Sequence, residues 1–256
     1  MSVVSVRFNS DRSRAAFTLQ HAKGNIVTAD MISALRAGIE ALSPNPHLKL
    51  VTLEGAGADF SFGASIPEHA PEHIGRVIPM MHRLVDDLLE VQAVTAAIVR
   101  GRCLGGGFEL ALACDFIFAA DDARFGLPEV ALGVLPPAAA ALLPMRAGAS
   151  RATQAIITGE TRSATDWRDA GLVALTAPAG RLEESVEEWF AAHLAPKSAA
   201  ALRHAAAAAR LGLVDHVRAV LPKLERLYLD DVMRTHDAVE GVQAFIEKRQ
   251  PRWTDE

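Results

Sequence analysis

Six consecutive apolar or β-branched residues, Val94–Val99, run into Gly101, and a run of three glycines, Gly105-Gly106-Gly107, opens an apolar helical stretch over Phe108–Ala113. A short continuous apolar run bounded by glycine is what a strand buried on both faces requires. Glycine supplies backbone angles that other residues avoid, so strand can pass into helix within a few residues. The same alternation recurs on either side. Val3–Phe8 and Ala15–Leu19 flank a polar stretch beginning Asn9-Ser10-Asp11-Arg12 and read as a hairpin. Met31, Ile32, Leu35, Ile39 and Leu42 share one helical face behind Thr28 or Asp30 as N-cap, and Leu48–Leu53 is a buried strand. Ile74, Val77, Ile78, Met81, Leu84, Val85, Leu88 and Leu89 make the clearest helical stripe, and Phe116–Ala119 is a strand again. Strand and helix in alternation predict an α/β fold built on crossover units.

Beyond about Ser150 the strand signal nearly vanishes. Glu183–Leu194, Ser198–Leu211, Val214–Leu229 and Ala238–Arg249 read as helices, with Pro222 a break or kink in the third. The division expected is an α/β core over 1–195, carrying the site, and a helical region over 196–256 that buries its spare apolar faces against a partner subunit. The 256 residues suffice for a large core. The net charge of −5 argues against a nucleic-acid binder, which needs a basic footprint. Cys103 and Cys114 read as free thiols of a reducing compartment. Neither a secretory leader nor an apolar run of the ~20 residues that a membrane span needs is visible, so the cytoplasm is expected.

The glycine run carries the chemistry. Helix-opening amides have no internal partner and sit at the positive end of the helix dipole. With glycine there, a ligand oxygen can approach them, as in an oxyanion hole. A tight strand-to-helix turn explains the run equally well; the Walker and dinucleotide fingerprints do not fit. Glu109 follows in the first turn of that helix, and Glu129 lies twenty residues on, behind Pro128. Two carboxylates at one oxyanion site could hold a water, one taking its proton while the other supplies one to carbon. Singly, each glutamate reads as a capping or surface residue.

Taken together, Arg100–Asp115, Phe60-Ser61-Phe62-Gly63-Ala64-Ser65-Ile66, Phe125–Gly133 and the tail Glu240–Arg249 resemble the ordered motifs of the crotonase (enoyl-CoA hydratase/isomerase) superfamily. The resemblance spans nearly the whole chain. It implies a spiral of ββα units with a helical C-terminal trimerisation region, assembled as a homotrimer or dimer of trimers. It implies the backbone amides of Ala64 and Gly106 as the oxyanion hole and Glu109 and Glu129 as the acid/base pair. Ser61, Phe62, Ser65, Ile66, Gly105, Leu135 and Pro136 would then contact the acyl group of an acyl-CoA substrate, and Lys248 the coenzyme A phosphates. No metal and no redox cofactor is implied, coenzyme A being part of the substrate. Where common hydratases carry Asp, this chain has Ser65, and where they carry a glycine-rich turn it has Leu135-Pro136-Pro137-Ala138-Ala139-Ala140. That combination is similar to the cyclohexa-1,5-diene-1-carbonyl-CoA hydratases, which implies water addition to a conjugated enoyl or dienoyl thioester. The alternatives are an ordinary β-oxidation hydratase, an enoyl-CoA isomerase, and a non-catalytic acyl-CoA-binding scaffold.

His69-Ala70-Pro71-Glu72-His73 spells an inverted zinc-peptidase motif. Zinc needs both histidines on one continuous helix, and Pro71 fits only a first turn, which leaves His69 outside it. Solvated histidines and an inert buried Cys103 are the simpler expectations.

Overall fold

The computed structural model describes residues 2–21, 24–42 and 45–256. One sheet has six strands in the order β1 (Val4–Phe8), β2 (Arg14–Leu19), β3 (Leu50–Gly55), β4 (Val94–Val99), β6 (Phe116–Ala120) and β9 (Leu175–Ala177). Only β1 and β2 pair antiparallel; every later pairing is parallel. A second sheet joins β5 (Arg102–Leu104), β7 (Arg124–Gly126) and β8 (Arg162–Ser163). The chain therefore climbs as a spiral: β4 enters the large sheet and β5 the small one, α3 (Gly106–Leu112) returns, and β6 and β7 repeat the move. All six residues of β4 are buried, as its unbroken apolar run requires.

Helix α1 (Ala29–Glu40) is capped by Thr28, whose hydroxyl accepts from the Met31 amide at 3.2 Å. Helix α2 (Pro71–Leu89) buries the predicted stripe. Three further helices carry no sequence signal of comparable strength: α4 (Pro137–Ala147), α5 (Ala149–Thr158) and α6 (Ala164–Asp169). Gly148 and Gly159 punctuate them, and α4 is apolar on nearly every side, so it shows no stripe. Phe108 packs against Phe125 and Trp167 at ring separations of 5.3 and 5.6 Å, which ties α3 to β7 and α6.

After α7 (Leu182–His193) comes a single 28-residue helix, α8 (Ala199–Arg226), where the sequence suggested two, Ser198–Leu211 and Val214–Leu229, with Pro222 a break or kink in the latter. Alanine-rich turns propagate well. Pro222 lies on an exposed side, where the helix absorbs one missing hydrogen bond. Val217 and Leu221 of α8 belong to the main core. One π-helical turn, Leu227–Asp231, follows, and then α9 (His236–Glu247) packs on the loop segments Ile66–His69 and Pro128–Leu132. The helical end of the chain thus covers the two loops that frame the glycine run.

Candidate active site

Gly105 precedes α3 with φ +48°, a backbone state that side-chain-bearing residues rarely adopt. A Cβ there would stand 2.6 Å from Glu129 Oε1, so glycine also makes room for the second carboxylate. Gly63, at φ +102°, is pressed against the Leu104 carbonyl in the same way and turns the upstream loop toward α3. The result brings the Ala64 and Gly106 amides together: a Cβ on Gly106 would lie 3.3 Å from the Ala64 nitrogen. Neither amide donates to a backbone acceptor among the described residues. Two adjacent uncommitted N–H groups can receive a single carbonyl oxygen.

Glu109 is 6% exposed, on the buried side of α3. Its Oε1 accepts from the Ala139 amide at 2.9 Å, so the Pro-Pro-Ala-Ala stretch aims the start of α4 at this carboxylate. Glu129 rises from the turn Pro128–Leu132, and its Oε2 is buried without any hydrogen-bond partner among the described residues. Burial pushes both acids toward the neutral form. Glu109 goes up to about 7, restrained by the Ala139 and Ala138 amides. Glu129 goes up to about 8, through burial and then the charge of Glu109. Near neutral pH the pair therefore shares roughly one proton. An ionised and a protonated carboxyl side by side can take a proton from water and give one to carbon.

The acyl-side residues divide. Leu135 joins an apolar cluster with Ile74, Ile78, Val134 and Met233, and Pro136 is buried where α4 begins. Ser65 and Ile66 are half-buried at the start of the segment Ile66–His69. Phe62 is half-buried, with the Arg102 guanidinium 5.1 Å from its ring centre. Ser61 is fully buried; its hydroxyl donates to the Asn25 carbonyl at 2.8 Å and accepts from the Gly63 amide at 3.1 Å, so it shapes the loop. Its position beside Cys103 in a β-bridge turns it inward. Lys248 is exposed at the left-handed residue that ends α9, while Arg249 is engaged by Glu240 and Glu247.

His69 differs from expectation. It is half-buried, its Nδ1 donates to the Ser65 carbonyl at 2.9 Å, and burial lowers its pKa. Pro71 is the first residue of α2, so the two histidines do not share a helix. Among the described residues no three His, Cys, Asp or Glu side chains gather as a metal site.

Two polar residues at or near the site escaped the sequence reading. Asn25 donates its amide to the carbonyls of Ala56 and Asp59 and anchors the loop that leads to Ala64. Tyr228, the one tyrosine of the chain, is buried in the apolar cluster, and the charges of both glutamates act on its hydroxyl. Its distance in sequence from the glycine run gave no clue.

The enoyl-CoA hydratase/isomerase family model matches residues 11–256. A cyclohexa-1,5-dienecarbonyl-CoA hydratase of Thauera aromatica is 39% identical over 252 residues, with 98% of this chain and 97% of the relative covered. A probable enoyl-CoA hydratase of Mycobacterium bovis is 31% identical, with 99% of each chain covered. Among solved structures, an enoyl-CoA hydratase from Mycobacterium avium subsp. paratuberculosis superposes with a TM-score of 0.87 at 28% identity, over 100% of both chains. The chain belongs to the enoyl-CoA hydratase/isomerase family and is an enzyme of the enoyl-CoA hydratase type.

Proposed function

We propose that the protein adds water to a conjugated dienoyl thioester, cyclohexa-1,5-diene-1-carbonyl-CoA, at the site framed by Ala64, Gly106, Glu109 and Glu129. The observation that carries this reading is the buried pair of glutamates, Glu129 packed against Gly105, beside two uncommitted amides. An isomerase needs one base and no held water; a binding scaffold needs neither acid.

The thioester oxygen accepts from the Ala64 and Gly106 amides, which draw charge out of the conjugated system. Glu109, kept the more acidic of the two by the amides of α4, takes a proton from water as the oxygen bonds to carbon. Glu129, protonated, returns a proton to carbon, and the pair is restored by proton exchange. The cyclic substrate is favoured by the 39% identity to the Thauera aromatica hydratase, against 31% to the Mycobacterium bovis one. Leu135, Pro136, Ser65 and Ile66 border the acyl group in this reading, and Lys248 meets the coenzyme A phosphates. The exposed apolar residues Val239, Phe245, Ile246 and Trp253 at the chain end suit burial between copies, so residues 196–256 assemble a trimer or dimer of trimers. The buried free thiols Cys103 and Cys114 fit a cytoplasmic enzyme.

The test offers the purified enzyme crotonyl-CoA and the cyclic dienoyl-CoA, following loss of conjugated absorbance and product mass. Hydration of the cyclic diene with little turnover of crotonyl-CoA is the expected result. The reverse preference returns the enzyme to straight-chain enoyl substrates, and a shifted double bond without added water would make it an isomerase.

A further inference from the structure

We propose that the Tyr228 hydroxyl is the third group that holds the reacting water, and that it hydrogen-bonds the hydroxyl of the hydrated product. The inference rests on the hydratase reading and deepens it.

A buried hydroxyl without a partner carries a desolvation cost, so folded proteins rarely keep one without cause. Tyr228 is 1% exposed, and its hydroxyl meets no donor or acceptor among the described residues. Ile74, Ile78, Val134, Met233 and Ala238 form an apolar cluster with it. A ring alone would pack there equally well, so packing does not explain the oxygen. The segment that follows Glu129 lends Leu132, Val134 and Leu135 to the same cluster, and Glu129 Oε2 is a buried acceptor likewise without a partner among the described residues. No hydrogen bond joins the phenol to either glutamate, yet the charges of Glu109 and Glu129 both act on it, after burial, to raise its pKa. A water oxygen between the phenol and that carboxyl would satisfy the unused donor and the unused acceptor together.

Tyr228 stands in the one π-helical turn among the described residues, Leu227–Asp231, at the end of α8. Such turns break the helical register to re-aim side chains and concentrate at functional sites. Because the phenol stays protonated at working pH, it is a standing donor. Donating to the water occupies one lone pair and leaves the other directed at carbon. The proton balance is unchanged: water gives its proton to one glutamate, carbon receives a proton from the other, and the phenol keeps its own throughout. A purely hydrocarbon acyl group would offer this phenol nothing. The oxygen it matches is the one that water brings.

The experiment compares the wild type with Tyr228→Phe, which retains the ring. Binding by calorimetry is measured for hydroxyacyl and deoxyacyl thioesters, 3-hydroxybutyryl- against butyryl-CoA and 2-hydroxycyclohexane- against cyclohexane-carbonyl-CoA. The variant should bind the better hydroxyacyl ligand about 5-fold more weakly and its deoxy partner unchanged. Turnover of whichever enoyl thioester the wild type hydrates should fall about 10-fold, with the thermal midpoint equal or higher. Equal affinity of both proteins for the hydroxyacyl ligands would overturn the proposal. So would matched weakening of both ligand types, which marks a structural role. Failure of the wild type to hydrate any enoyl thioester would instead defeat the hydratase reading, and the ligand ratio would still report on Tyr228.

Discussion

Glu109 within helix α3 and Asp115 just beyond it live in opposite surroundings. Beyond its end, Asp115 is held by the Arg210 guanidinium through both carboxylate oxygens and also accepts from the Thr95 amide at 2.8 Å. At its beginning, Glu109 accepts from the Ala139 amide at 2.9 Å, has no cation paired to it among the described residues, and acts by its charge on another glutamate, Glu129. The first acid is saturated by a cation and donors, and so fixes the fold. The second lacks a cation, so it can exchange a proton. Charge pairing at the one and its absence at the other set a scaffold acid apart from the proposed catalytic one within a dozen residues.

The largest effect expected from breaking this contrast is on stability. Arg210 is 5% exposed and also donates to the carbonyls of Leu89, Val91 and Ala93. Arg210→Met strands Asp115 and three carbonyls together, at about 3–5 kcal/mol. Thermal unfolding should show a midpoint lower by roughly 10 °C, with turnover per folded molecule retained. A midpoint unchanged from the wild type would mean that the pair is not the clamp its geometry suggests.

On the other side of α3, Glu109→Gln and Glu129→Gln should each lower turnover about 100-fold or more while the fold persists. Circular dichroism alongside the hydration assay separates the two consequences. Wild-type turnover in both variants would remove the acid/base mechanism. Because the two carboxyls share a proton, the double variant should lose little more than either single one.

The sequence announced the acids but not their surroundings. Glu109 and Glu129 were legible because they sit in short motifs, where backbone geometry follows from local glycine and proline chemistry. The strands β3 and β4 and helix α2 were legible for a similar reason, since burial on both faces or along one stripe writes a period into the chain. Helix α4 has no stripe, so its role of pointing amides at Glu109 could not be read thirty residues away. The burial of Ser61 could not be read locally, because it goes with a pairing to Cys103, a contact between distant segments. Tyr228 depends on the length of α8 and on the irregular turn after it, and neither leaves a periodic trace.

The same isosteric change, acid to amide, should have opposite effects on stability at Glu129 and at Asp115. Glu129 has its folded pKa raised to about 8 from an ordinary 4.5, so between those values the folded state binds more protons than the unfolded one. Stability then falls as pH rises through that window. Glu129→Gln abolishes this titration. The variant should match the wild type below about pH 5 and gain on it steadily, reaching a midpoint about 3 °C or more higher at pH 9. Asp115→Asn should instead lower the midpoint, because Arg210 loses its counter-charge in a buried setting. Scanning calorimetry from pH 5 to 9 on both variants reads the two signs directly. A loss of stability in Glu129→Gln at pH 9 would show that Glu129 is held by partners as Asp115 is, and the contrast between the two acids would collapse.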